Sequence, residues 1–206
     1  MRLFLYPLIL TILILIGFAE VATPIVQPRT SYMRHELPVH KTLYLERGIY
    51  EDQMYYITLA AMEWYDVTNG QVVFDIRRLP QTNINPSEAI VVLNVTPDYP
   101  EMLILDSMNH RTTLGLYNAN NGLPSIELVD ERITVDDYTA VVMHEMGHAL
   151  GLEHPDDEAH PLRGVGSLMF SSIMLGNEHI TDLDLKRFCQ LYHCDASKFH
   201  GVPQIQ

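Results

Sequence analysis

The sequence predicts a domain that combines helices with short β-strands, and three stretches carry that prediction. From about 50 to 67, apolar residues recur at spacings of three and four, the pattern of an amphipathic helix. A continuous apolar run at 89–95 has the length and composition of a buried strand. A second helical stretch, at about 134–150, carries two histidines four positions apart. With 206 residues, 47% of them hydrophobic, we expect one globular domain of ordinary size plus an extra segment.

The strands are predicted from short β-prone runs between turn residues. Asn69-Gly70 is a turn signal, and a strand leaves it. Two further runs surround an Asn/Gly-rich loop at 118–122 and predict a hairpin-like pair. The apolar run Met102–Leu105 could be a strand or a loop. The predicted strands are Leu43–Leu45, Val72–Ile76, Ala89–Val95, Thr113–Tyr117 and Ser125–Val129.

Three helices are predicted from periodicity and capping residues. Thr134 can cap the second helix, with Asp137 placing a carboxylate at its positive end. Ile180–Tyr192 is amphipathic, with Thr181 as its cap and Asp184 three residues later. The first helix presents one apolar face, made by Met54, Ile57, Ala61, Trp64 and Tyr65.

The second helix carries the residues that indicate chemistry. His144 and His148 are four positions apart, so both imidazoles leave one face of a helix and can reach one zinc ion, with Glu145 beside them. Gly151 allows the chain to turn after the helix and bring His154 back as a third ligand. The alternative is a helix whose histidines are merely packed and whose glutamate is a solvated charge. That alternative needs the glycine and the third histidine to occur by accident.

This H-E-x-x-H-x-x-G-x-x-H spacing resembles that of the metzincin metalloproteases, and the matrixins most closely. Ser167–Phe170 resembles the methionine turn of matrixins, in which Met169 would form a hydrophobic floor under the histidines. Ala61–Thr68 and the C-terminal helix also resemble matrixin segments, so the likeness covers about 40–193. It implies the α+β, zincin-like fold: a twisted mixed sheet with an active-site helix, a second long helix and a C-terminal helix.

The resemblance further implies a secreted, zinc-dependent metalloendopeptidase with one catalytic Zn²⁺ held by His144, His148 and His154. Glu145 would be the general base that accepts a proton from the attacking water. The substrate would be a protein or peptide bound in extended form along an edge strand near Leu114–Leu116. Two alternatives stay open: a catalytically silent protein-binding module on a metzincin scaffold, and a zinc hydrolase of a non-peptide amide.

The N-terminus resembles a secretory signal peptide, with one arginine followed by an apolar run. Cleavage after Ala19 is favoured over an uncleaved membrane anchor, and either outcome places the rest of the chain outside the cytoplasm. We therefore expect a signal peptide at 1–19, a connector at 20–39, the catalytic domain at 40–200 and a tail at 201–206. Because no cysteine precedes the active-site helix, the cysteine-based latency common in matrixins is not expected.

Charge and cysteine content restrict the partners. The net charge of −13 argues against nucleic acid or an anionic membrane as the main partner, and a monomer is expected. A carboxylate-rich loop could bind Ca²⁺ but has no fixed ligand spacing, so a solvated charge run is favoured. Its residues are Asp156, Asp157, Glu158 and His160. Cys189 and Cys194 could form one disulfide or remain buried thiols.

Overall fold

The structure is a computed structural model that describes residues 36–79, 84, 89–109, 112–119, 122–155, 166–171 and 179–200. The predicted signal peptide, almost all of the connector, the tail and the carboxylate-rich loop lie outside the described residues. Within the described ranges, no helix is long and apolar enough to span a membrane.

In the described part of the chain, five strands form one mixed sheet in the order β2-β1-β3-β5-β4. Neighbours pair in parallel, except that β4 runs antiparallel to β5 and lies at the edge. The predicted hairpin-like pair is therefore present. The strands are β1 (Val39–Leu45), β2 (Val72–Arg78), β3 (Ala89–Asn94), β4 (Gly115–Asn118) and β5 (Ser125–Leu128).

The first strand is longer than the sequence suggests. It begins at Val39 rather than Leu43, because Val39 pairs with Val72 in parallel register. Parallel pairing joins segments that are distant along the chain, so local composition does not reveal where such a strand begins.

Four helices accompany the sheet among the described residues: α1 (Glu51–Val67), α2 (Pro100–Asn109), α3 (Tyr138–Ala149) and α4 (Asp182–Tyr192). The prediction that α3 starts with a Thr134 cap is wrong. Asp137 occupies the N-cap; the Thr134 hydroxyl donates to the Asp137 carboxylate at 2.6 Å and accepts from the Asp137 N–H at 3.3 Å, so these bonds close a turn before the helix begins.

The second helix corrects the strand-or-loop prediction for Met102–Leu105. Pro100 occupies the first helical position, where its missing N–H costs nothing, and Glu101 follows in the first turn. Met102 is the fully buried residue of this helix, whereas Leu103 is half exposed. Short apolar runs do not distinguish a helix from a strand, so the flanking proline is the signal that could have decided it.

Helix α1 packs against α3. Trp64 is fully buried, and its indole N–H donates to the backbone oxygen of Met143, one residue before His144, at 3.2 Å. Tyr65 is a correction, since half of its surface is exposed and Ala60 occupies the buried face. The Trp64 hydrogen bond therefore links α1 to the part of α3 that carries His144.

The last helix closes the core. Its N-terminus has the predicted capping box, in which Thr181 and Asp184 satisfy each other's backbone N–H. Phe188 is fully buried and packs on Trp64, with ring centroids 6.3 Å apart, and on Tyr192 at 4.3 Å. α4 is thereby fixed against the helix that supports α3.

Cys189 and Cys194 form a disulfide, which decides between the two alternatives left open by the sequence. The bond spans the C-terminus of α4, where His193 adopts a left-handed conformation (φ 53°) and the Cys194 N–H donates to the Cys189 carbonyl at 3.1 Å. The chain is thus clipped where the helix ends.

We expect this disulfide to protect both thiols. The folded, non-reduced protein should gain no mass on treatment with iodoacetamide, whereas the reduced protein should gain two carbamidomethyl groups. Reduction should lower the free energy of unfolding by about 2 kcal/mol, because the closed loop is short. Alkylation without a reductant would contradict the pairing.

Candidate metal centre

Three histidines meet in space although one of them lies outside the helix. His144 and His148 project from α3, and His154 follows the turn after it. The three Nε2 atoms form a nearly equilateral triangle, with sides of 3.0 Å (His144–His154), 3.1 Å (His144–His148) and 3.1 Å (His148–His154). The structure therefore brings together all three ligands that the sequence predicted.

The proton positions of two rings follow from their hydrogen bonds. Nδ1 of His144 lies 2.7 Å from the Leu168 carbonyl oxygen, and Nδ1 of His148 lies 2.7 Å from that of Leu152. A carbonyl oxygen only accepts, so each Nδ1 carries the proton and each Nε2 presents a lone pair. The lone pairs of His144 and His148 thus face each other across 3.1 Å.

Such an arrangement fits a metal ion. Two facing acceptors have no hydrogen to share, so their approach is unfavourable unless a cation binds both. Three imidazole nitrogens are a common ligand set for catalytic zinc, with zinc–nitrogen distances of about 2.0–2.1 Å. The second-shell carbonyls also match the usual arrangement, since they fix the tautomer and the orientation of the rings.

The charge state of the histidines suits metal binding as well. Burial lowers the pKa of His144 to about 3 and the pKa of His148 to about 4. Both rings are therefore neutral near pH 7, which is the form that ligates a metal.

The turn that returns His154 depends on one glycine. Gly151 has a φ of +88°, in the left-handed region, as the sequence predicted. Around it the Gly151 N–H donates to the His148 carbonyl at 2.9 Å, and the Leu152 N–H donates to the Gly147 carbonyl at 3.0 Å. These bonds satisfy carbonyls at the end of α3 while the chain reverses.

Glu145 lies between α3 and the edge strand. It is buried, at 5% exposure, and its Oε2 has no hydrogen-bond partner. A Cβ atom on Gly115 of β4 would come within 2.9 Å of Oε1, so the strand approaches the carboxylate because this residue is glycine. Burial raises the pKa of Glu145 to about 8, although a hydrogen bond from the Tyr117 backbone opposes the shift.

Met169, predicted as the floor of the site, packs on the helix that carries two of the histidines. Met169 is fully buried against Gly147 of α3, where a Cβ atom would overlap the methionine sulfur.

The sequence did not predict that Asp184 supports the site. Asp184, assigned only a capping role, also accepts from the Ser167 hydroxyl and from the Leu168 N–H at 3.0 Å. Because the Leu168 carbonyl orients His144, this buried aspartate supports the metal site.

Asp184→Asn tests that support. Asp184 accepts from Ser167, Leu168 and Thr181, and an amide offers one oxygen instead of two. We expect the free energy of unfolding in urea to fall by about 1–3 kcal/mol, because buried donors lose their acceptor. Zinc affinity should fall as well. Asp182→Asn, at an exposed residue of the same helical turn, is the matched control, and equal losses in both variants would contradict this assignment.

Comparisons with known proteins identify the family. A family model described as matrixin (Peptidase M10) matches residues 58–201. One similar solved structure is high choriolytic enzyme 1, a hatching-enzyme zinc protease from Oryzias latipes. It shows 16% identity and a TM-score of 0.46, covering 75% of this chain and 90% of that one. Another is archaemetzincin from Methanopyrus kandleri, with 11% identity, a TM-score of 0.42 and coverages of 75% and 97%. No curated protein sequence matches. The α+β fold is as predicted, and the chain belongs to the matrixin family of zinc metalloproteases.

Proposed function

We propose that this protein is a secreted metalloendopeptidase that binds one zinc ion through His144, His148 and His154. The observation that carries the proposal is the triangle of Nε2 atoms, 3.0–3.1 Å on each side, with two tautomers fixed by backbone carbonyls. Membership in the matrixin family gives the same metal and the same class of reaction.

In this proposal Glu145 is the general base. A zinc ion in such a site supplies Lewis acidity, which polarises a peptide carbonyl and makes water more acidic. Glu145 Oε2 has no partner and can accept the proton of the attacking water, then return it to the leaving amine. Burial alone favours the protonated acid, whereas a cation beside the carboxyl favours the carboxylate that a base requires.

The edge strand supports an extended peptide as the substrate. The Val129 N–H donates to the Leu114 carbonyl at 2.9 Å, and bonding alternates along an antiparallel ladder. The backbone groups of Gly115 and the Tyr117 carbonyl therefore face away from β5, toward the open edge, while the Tyr117 N–H donates to Glu145. A substrate backbone can pair there as an added strand, and the Gly115 position brings it beside Glu145.

We also propose secretion, with 1–19 as a signal peptide and 40–200 as the catalytic domain. The Cys189–Cys194 disulfide supports an oxidising compartment. An uncleaved N-terminal segment would instead make the protein membrane-anchored, and N-terminal sequencing of the secreted protein separates the two cases. A monomer remains the expected state. No calcium site is proposed.

The catalytic step is tested with Glu145→Gln. The amide nearly preserves shape but cannot accept a proton, so zinc content and the unfolding midpoint should stay close to those of wild type. The rate of peptide hydrolysis should fall about 10²–10⁴-fold, in kcat and in kcat/KM alike. Undiminished hydrolysis by the variant would overturn the role of Glu145. A zinc-loaded wild type that cleaves no peptide in a broad library would favour the binding module, or the non-peptide amidase if it hydrolyses other amides.

The third ligand is tested with His154→Ala. Wild type should contain about one zinc per chain, and the variant should hold it far more weakly because one of three nitrogens is lost. His40→Ala, at an exposed histidine of β1 outside the triangle, is the control and should retain zinc. Full retention by His154→Ala would show that another group completes the site.

A further inference from the structure

Side chains of α4 donate two of the hydrogen bonds that hold the turn between α3 and His154. Three carbonyl groups of this turn accept hydrogen bonds. Leu150 accepts from the buried Tyr192 hydroxyl at 3.0 Å, and Leu152 accepts from His148 Nδ1 at 2.7 Å. Glu153 accepts from Arg187 Nη2 at 2.6 Å. The last bond connects α4 to the residue directly before the third histidine.

We propose that Arg187 is a positioning residue that presents His154 to the metal. The inference rests on the proposed zinc site and adds a residue that the motif does not contain. His154 lies outside α3, and its ring is exposed, unlike the partly buried rings of His144 and His148. Its place therefore depends on the turn more than theirs does.

The geometry of the peptide bond explains how Arg187 acts at a distance. The Glu153 carbonyl and the His154 nitrogen belong to one planar peptide unit that ends at the His154 Cα. A donor fixed on the Glu153 oxygen therefore restricts the orientation of the plane from which the histidine extends. The bond from a guanidinium is charge-assisted and hence stronger than one from a neutral donor.

The donor itself is well anchored. Arg187 precedes Phe188, which is fully buried in the core, and α4 is capped at its other end by Thr181 and Asp184. The guanidinium bonds the Glu153 carbonyl through Nη2, whereas its buried Nη1 has no hydrogen-bond partner. A buried unpaired donor is unfavourable, so packing alone does not account for the arginine.

The charge of Arg187 and its hydrogen bond have opposite expected effects on zinc affinity. The guanidinium of Arg187 is positively charged, and its field reaches His148. The same positive charge repels a metal cation. Removing the charge would by itself strengthen zinc binding, whereas losing the hydrogen bond would weaken it. The direction of the change therefore reports which effect dominates.

The test is Arg187→Met in the full-length protein, which removes the donor and the charge but keeps an apolar stem. We expect the zinc dissociation constant, measured by chelator competition, to rise about 10-fold or more, the size typical of second-shell changes. Lys186→Met is the matched control, because it removes an exposed cation from the same helix and should leave zinc affinity near that of wild type. If Arg187→Met does not fold, Arg187→Gln, which is shorter and also uncharged, takes its place with the same expectation.

A double-mutant cycle separates positioning of His154 from general stabilisation. In a His154→Ala background, Arg187→Met should weaken zinc binding no further, because the ligand through which it acts is gone. Unchanged or tighter zinc binding in the single variant would overturn the inference, as would an equal loss in both backgrounds. A wild type that binds no zinc would overturn the proposed function itself.

Discussion

The proposed metal site depends on holding three imidazole nitrogens 3.0–3.1 Å apart, with the lone pairs of His144 and His148 facing each other. Without a cation this arrangement is unfavourable, since neither His144 nor His148 has a proton on Nε2 to donate. Hydrogen bonds with the surrounding residues therefore have to fix the orientation of these two rings. Two backbone carbonyls hold the Nδ1 protons, and burial keeps both rings neutral.

The support comes from elements distant in sequence. Trp64 of α1 bonds the backbone directly before His144, and Met169 fills the space that Gly147 leaves open. Asp184 of α4 fixes the segment whose carbonyl orients His144. In the proposed arrangement Arg187, one turn further along α4, does the same for His154. A single helix would thus stabilise opposite sides of the site, which explains why its capping box and its buried phenylalanine matter for chemistry.

Local signals carried most of what the sequence predicted. The spacing of His144, His148, Gly151 and His154 predicts the triangle, because helical periodicity places two rings on one face and one left-handed glycine lets the chain turn back toward them. Long periodic helices were also predicted well. Helix α2 and the start of β1 were not, because short apolar runs are ambiguous and parallel pairing depends on distant segments. The contacts of Asp184 and Arg187 could not be predicted either, since each joins segments 16 or 34 residues apart through the tertiary fold.

In the proposed site three histidine nitrogens, and no other protein atoms, hold the metal. X-ray absorption spectroscopy at the zinc edge of the purified, zinc-loaded protein measures this directly. We expect three imidazole nitrogens at about 2.0–2.1 Å, with one further oxygen neighbour from solvent. A sulfur neighbour at about 2.3 Å, or scattering from only two imidazoles, would contradict this set of three histidine ligands.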